Sequence, residues 1–184
     1  QKENGDLRHD EHGNAGMYTQ GQATIVLCEA FAMTGDEELR IPAQKAVDFV
    51  VKAQYNDGGW RYRPFAGGGE RGDTSVVGWQ LMALQSARAA NLNVPERTLL
   101  KASAYLDGCQ SDGGAQYAYM AGHAPTPVMS AEALLCRMYL GWTKKQKPAL
   151  TRGAQQLVER YLPDRRDPNR TLRPDRRPVP AMAG

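Results

Sequence analysis

Three carboxylates stand where carboxylates are uncommon. Glu29 and Glu132 interrupt stretches that are otherwise apolar, and Asp73 precedes Thr74 and Ser75 at the entrance to another apolar stretch. A carboxyl group held among apolar side chains has its pKa raised, which suits it to exchanging protons near neutral pH. The same group can be structural instead, bonded to a neighbouring helix end or to a buried arginine such as Arg137. Glu29, Asp73 and Glu132 are therefore the candidate catalytic residues, and the structural role is the one the sequence favours.

Other chemistry finds less support. His9 and His12 have no third ligand nearby and read as loop histidines. Cys28, Cys109 and Cys136 show neither disulfide nor zinc spacing and read as buried free thiols of a reducing compartment. Gly67, Gly68 and Gly69 follow no strand and precede no Lys-Ser/Thr pair, so they read as a connection rather than a phosphate cradle. No metal and no cofactor is expected.

The elements that must position these residues are helices. Ala23, Val26, Leu27, Ala30 and Phe31 keep helical spacing, as do Ala43, Ala46, Val47 and Val50. The whole pattern predicts helices over 18–33, 42–53, 74–90, 95–107, 127–141 and 149–161, with no sheet. An apolar, inner-type helix alternates with an amphipathic, outer-type one. The expected class is all-α.

The outer helix and its exit recur. Lys45, Phe49, Gln54, Asp57, Gly58, Gly59 and Trp60 return as Lys101, Tyr105, Gln110, Asp112, Gly113 and Gly114, with Ala115 in the place of the tryptophan. A weaker copy begins at Arg152 and has no glycine turn, and QKENGDL reads as the end of an earlier one, with Gln1 and Gly5 in the glutamine and turn positions. Such a period marks an array whose units bury their apolar faces on one another. The array is expected to continue ahead of Gln1, and a unit lacking its neighbour is expected to self-associate. The division is 1–16, a repeat end and loop; 17–163, the helical repeats; and 164–184, a disordered tail rich in Arg, Asp and Pro.

Net charge is +3 over 184 residues, but the six arginines and three aspartates after Pro163 account for it. The remainder is neutral, which excludes a basic face for nucleic acid. No apolar run reaches the length of a transmembrane segment.

The run from Lys45 through Gln54 to Gly58 and Trp60 resembles the QW repeat of squalene–hopene and oxidosqualene cyclases. The Asp-Gly-Gly form is similar to repeats of protein prenyltransferase β subunits. That resemblance implies an α/α toroid, here about three hairpins of inner and outer helices, in a bacterial protein of the cytoplasm or membrane periphery. It implies as partners the remaining repeats of the parent chain and, in the cavity, a lipophilic isoprenoid or a protein or peptide. The cyclases' Asp-x-Asp-Asp acid is absent, and Asp73-Thr74-Ser75 puts serine where the prenyltransferases' zinc thiolate stands. The resulting expectation is a binding or interaction scaffold without a complete catalytic site. The alternative is part of a cyclase or prenyltransferase whose catalytic residues lie in other repeats.

Overall fold

The structure, a computed structural model, describes residues 1–8, 13 and 15–161. His9, His12 and the tail from residue 164 lie outside the described residues.

Among the described residues six helices form three consecutive hairpins: α1 (Gly16–Thr34) with α2 (Glu37–Lys52), α3 (Thr74–Ala89) with α4 (Glu96–Cys109), and α5 (Pro127–Tyr139) with α6 (Pro148–Tyr161). The all-α class is as the periodicity predicts. Gly35 ends α1 in the left-handed region, at φ 66°, and its N–H reaches Phe31 O. Asp36 then caps α2 by accepting from Glu38 N at 2.9 Å. That cap starts α2 five residues earlier than predicted, because Pro42 lies inside the helix and not in its first turn. Asp73 and Thr126 cap α3 and α5 in the same way.

The inner helices α1, α3 and α5 lie side by side, and each outer helix packs on the inner helix before it. Helix α3 sits mid-row, touching α1, α2, α4 and α5, which is why its sequence is apolar nearly all round. Val47, Val50, Trp60, Val77, Leu84 and Leu106 are fully buried between the layers. Among the described residues α1 and α5 make no substantial contact, so these three hairpins do not close a ring. No described helix is long and apolar enough to cross a membrane.

The repeat is visible as hydrogen bonds. The Gln54 side-chain amide donates to Thr98 O at 2.9 Å, and Gln1 donates to Pro42 O at 2.7 Å. Each bond ties one unit's exit to the next outer helix, three residues before Lys101 and Lys45 respectively. Asp57 holds the turn by accepting from Gly59 N and Gly72 N, both at 3.0 Å. At Gly58, φ is 89°, and a Cβ there would overlap the backbone carbonyl of Lys101; Gly5, at φ 91°, stands in the same relation to Lys45. Gly58→Ala is accordingly expected to cost roughly 2–4 kcal/mol, backbone strain plus overpacking. Gly67→Ala shares a positive φ, 98°, but meets nothing within 4 Å, and should cost only about 1 kcal/mol. Urea unfolding of both variants checks the difference.

Two expectations need correction. A short antiparallel pair exists, β1 (Gln110–Ser111) with β2 (Gln116–Tyr117), around a single 3-10 turn at Asp112–Gly114. Arg152 donates to Asp112 O at 2.6 Å, and Gln156 to Asp112 Oδ2 at 2.9 Å, so the second turn is pinned by α6. Nor is Ala115 the counterpart of Trp60. Trp60 O accepts from Asp73 N at 2.9 Å, at the cap of α3, and Tyr117 O accepts from Thr126 N at 3.0 Å, at the cap of α5. The fully buried Tyr117 therefore fills the tryptophan's place, displaced two residues by the β-hairpin.

Candidate functional site

The chain leaving each glycine turn crosses the N-terminal end of an inner helix. Met17 N donates to Tyr62 O at 3.1 Å, and Thr74 N donates to Tyr119 O at 2.9 Å. Both crossings deliver a tyrosine to the same rim. The Tyr62 and Tyr119 hydroxyls bond at 2.6 Å, and the Tyr18 hydroxyl bonds to Ser75 Oγ at 2.7 Å. The rings of Tyr18 and Tyr62 lie 6.1 Å apart, and His123 stands 6.4 Å from Tyr119. Three phenols from two successive repeats thus converge over the starts of α1 and α3.

Asp73 sits beneath them, fully buried. Its Oδ1 accepts from Val76 N at 2.9 Å and from Ser75 Oγ at 2.6 Å. Among the described residues its buried Oδ2 has no hydrogen-bond donor. Glu132, in the second turn of α5, lays its carboxyl over Gly78 of α3, where any Cβ would overlap it. Burial, and then the negative charge of Asp73, push the Glu132 pKa up to about 7. Burial also raises the phenol of Tyr119, helped by the Tyr62 hydroxyl and Asp73, and that of Tyr18, helped by Asp73 and Glu132. Tyr18 and Tyr119 are therefore neutral hydrogen-bonding groups, while Glu132 changes charge near neutrality. On the open side, the Arg61 guanidinium stacks on the Tyr62 ring at 5.5 Å and donates to Arg71 O.

Of the three carboxylates singled out in the sequence, two belong together. Glu29 is exposed and accepts from Ser86 Oγ at 3.0 Å. It lies eleven residues along α1 from Tyr18, roughly 16 Å at the helical rise. Arg137, offered by the sequence as a partner for the glutamates, serves neither. It is fully buried, donates to Tyr117 Oη at 3.0 Å and to Ser103 O at 3.1 Å, and pairs with Asp107. The repeat residues Lys45, Phe49, Gln54, Trp60, Lys101, Tyr105 and Gln110 lie on the outer helices and their exits, not in the phenol–carboxylate cluster. Two of them touch its edge: the Trp60 carbonyl accepts from Asp73 N at 2.9 Å, and the Tyr105 hydroxyl donates to Tyr119 O at 3.4 Å.

The tyrosines carried a sequence signal that the glycine turns masked. Tyr62 and Tyr119 are 57 residues apart, as are Tyr18 and Ser75. Aligning the chain on the aromatics rather than on Asp-Gly-Gly would have paired Trp60-Arg61-Tyr62 with Tyr117-Ala118-Tyr119. No group of three or more His, Cys, Asp or Glu stands together to hold a metal among the described residues. The three cysteines are free and buried, and burial lifts the Cys28 and Cys136 thiols to about 12, leaving them unreactive.

The shifted carboxyl has a consequence for stability. Glu132 titrates at about 7 in the folded chain against 4.5 for an unperturbed glutamate, so the folded state holds its proton more tightly. Its contribution is fully present below about pH 4.5 and is lost as pH rises through about 7. Glu132→Gln should therefore flatten the stability profile across that window and melt above the parent at pH 8. Thermal melts at half-unit pH steps measure it.

Comparison with known proteins corrects the expected kinship. A family model described as pectic acid lyase matches residues 6–69, about a third of the chain. That span holds the first hairpin, its glycine turn, Tyr18 and Tyr62, and ends before Asp73. The match displaces the resemblance to squalene–hopene cyclases and prenyltransferases, and with it both the scaffold reading and its terpenoid alternative. The QW-like signature describes how a turn braces neighbouring helices, which is packing and not chemistry. No curated protein and no solved structure matches the chain. What the chain resembles, over its first helical repeat, is a pectic acid lyase.

Proposed function

We propose that this chain acts on pectic acid, a polymer of galacturonate, and cleaves it by β-elimination at the phenol–carboxylate rim. The observation that carries the reading is the pectic acid lyase match over the segment that supplies Tyr18 and Tyr62. The site's chemistry is compatible with it. Elimination requires a base to take the proton on the carbon next to the uronate carboxylate. The electron pair forms a carbon–carbon double bond, the glycosidic oxygen leaves, and that oxygen takes up a proton. Glu132, poised near neutrality, is the base. Tyr18, Tyr62 and Tyr119 offer flat rings for sugar stacking and hydroxyls for sugar hydroxyls. Arg61, stacked at the rim, is the cation that meets the uronate carboxylate, which makes the neighbouring C–H more acidic.

Incubation of the chain with polygalacturonate tests this, read by the ultraviolet absorbance of the unsaturated uronide product. The rate is expected to rise with pH through about 7 as Glu132 loses its proton. Neutral dextran should give nothing. Absence of unsaturated product over the whole pH range sinks the proposal.

A further inference from the structure

The row of inner helices uses one interface twice. Alignment of the units follows from their hydrogen bonds. Met17 and Thr74 each donate to the tyrosine crossing above them, and Asp73 and Thr126 each donate to the buried aromatic before them. On that alignment Gly21, Gly78 and Ala131 are equivalent positions. Gly21 of α1 faces the Trp79 and Gln80 side of α3, and Gly78 of α3 faces Glu132 of α5. A helix in this row therefore presents a small residue, and the turns beside it, to the next helix along.

In α5 nothing among the described residues covers that face. Val128, Ala131, Leu135 and Met138 form one stripe, with Val128 69% and Met138 54% exposed. The equivalents of Ala131 and Met138 are Gly21 and the fully buried Cys28 in α1, and Gly78 and Gln85 in α3. The opposite, receiving face is open on α1. Val26 is 65% and Met33 86% exposed, yet their equivalents in α3, Ala83 and Ala90, are buried. Among the described residues, one end of the row leaves a presenting face exposed and the other a receiving face.

We propose that these faces join copies of this chain head to tail, the α5 stripe of one copy seating against the Val26–Met33 face of α1 in the next. The contact repeats the α1–α3 and α3–α5 packing already built into the molecule, so its shape is specified internally. Because the two faces differ, the association is heterologous and adds copies in an open series. It is independent of the rim chemistry.

Sedimentation velocity on the full chain tests it. The parent's average mass should rise with concentration beyond that of a dimer. Leu135→Lys removes the presenting face and Val26→Lys the receiving face, so each alone should remain monomeric. Mixed in equal amounts, the two variants should form a dimer and stop there, since each retains the face the other lacks. All substituted side chains are exposed, and Met138→Lys with Met33→Lys forms a second pair if circular dichroism shows either first variant unfolded. A parent that stays monomeric overturns the proposal. So does association that survives both substitutions, or a single variant that dimerises by itself, which would mean a symmetric contact through one face.

Discussion

Glu132→Gln should lower the rate of polygalacturonate cleavage by roughly 10²–10⁴-fold, the usual contribution of a positioned general base. The substitution keeps the side chain's shape over Gly78, where the packing leaves no room for a larger rearrangement. It removes only the ability to accept a proton. Binding of the polymer should be little changed, so the loss falls on kcat and not on KM. Asp73→Asn is a less clean probe, because Asp73 Oδ1 also caps α3 through Val76 N and accepts from Ser75. Glu29→Gln is the control: an exposed carboxylate bonded to Ser86, remote from the rim, whose loss should leave the rate within about twofold. Equal rates for parent and Glu132→Gln would remove Glu132 from the reaction.

The largest effect on stability is expected at Trp60. Its ring is fully buried, its Nε1–H donates to Val50 O at 2.8 Å, and its own carbonyl receives Asp73 N at 2.9 Å. Trp60→Ala would leave a cavity between the first hairpin and α3 and strand the Val50 carbonyl. A loss of about 3–5 kcal/mol is expected. Because the Trp60 backbone also helps set the start of α3, the rim should loosen too, and activity should fall before the chain unfolds. Denaturant unfolding measures the first effect. A shift within about 0.5 kcal/mol would mean that the tryptophan is not a brace.

Most of the helical architecture was legible because apolar spacing is a local property. Ala43, Ala46, Val47 and Val50 announce one face of a helix without reference to anything else in the chain. The start of α2 was less legible, since a proline at position 42 looks like a first turn until the Asp36 cap is seen ahead of it. The candidate site divides in the same way. Asp73 and Glu132 stood out as carboxylates in apolar surroundings, but Glu29 looked identical to Glu132 on that criterion. What separates them is where each neighbouring helix lies: α3 gives Glu132 a glycine to settle on and gives Glu29 a serine at the solvent edge. The phenols went unnoticed because their partners are one repeat away, and the two extra residues of the β-hairpin hid the correspondence of Tyr117 with Trp60. Kinship was misread for a related reason. The turn signature reports the packing of repeats, and repeats of that kind can carry unrelated chemistry.

The contacts of Gly5 and Gly58 with the Lys45 and Lys101 carbonyls bear on how such a molecule can change. Each joint is backbone against backbone, so the spacing between outer helices is fixed without reference to any side chain on them. Lys45 and Lys101 could be almost any helix-forming residue, and the surface around them could be rewritten, with the pitch of the array preserved. The inner rim has no such freedom, because Tyr18 and Tyr62 meet ring to ring, Tyr62 and Tyr119 meet through their hydroxyls, and the Glu132 carboxyl is seated on Gly78. Divergence should therefore accumulate on the outside of the row while the units keep their register, and a new activity could arise at the rim without renegotiating the frame.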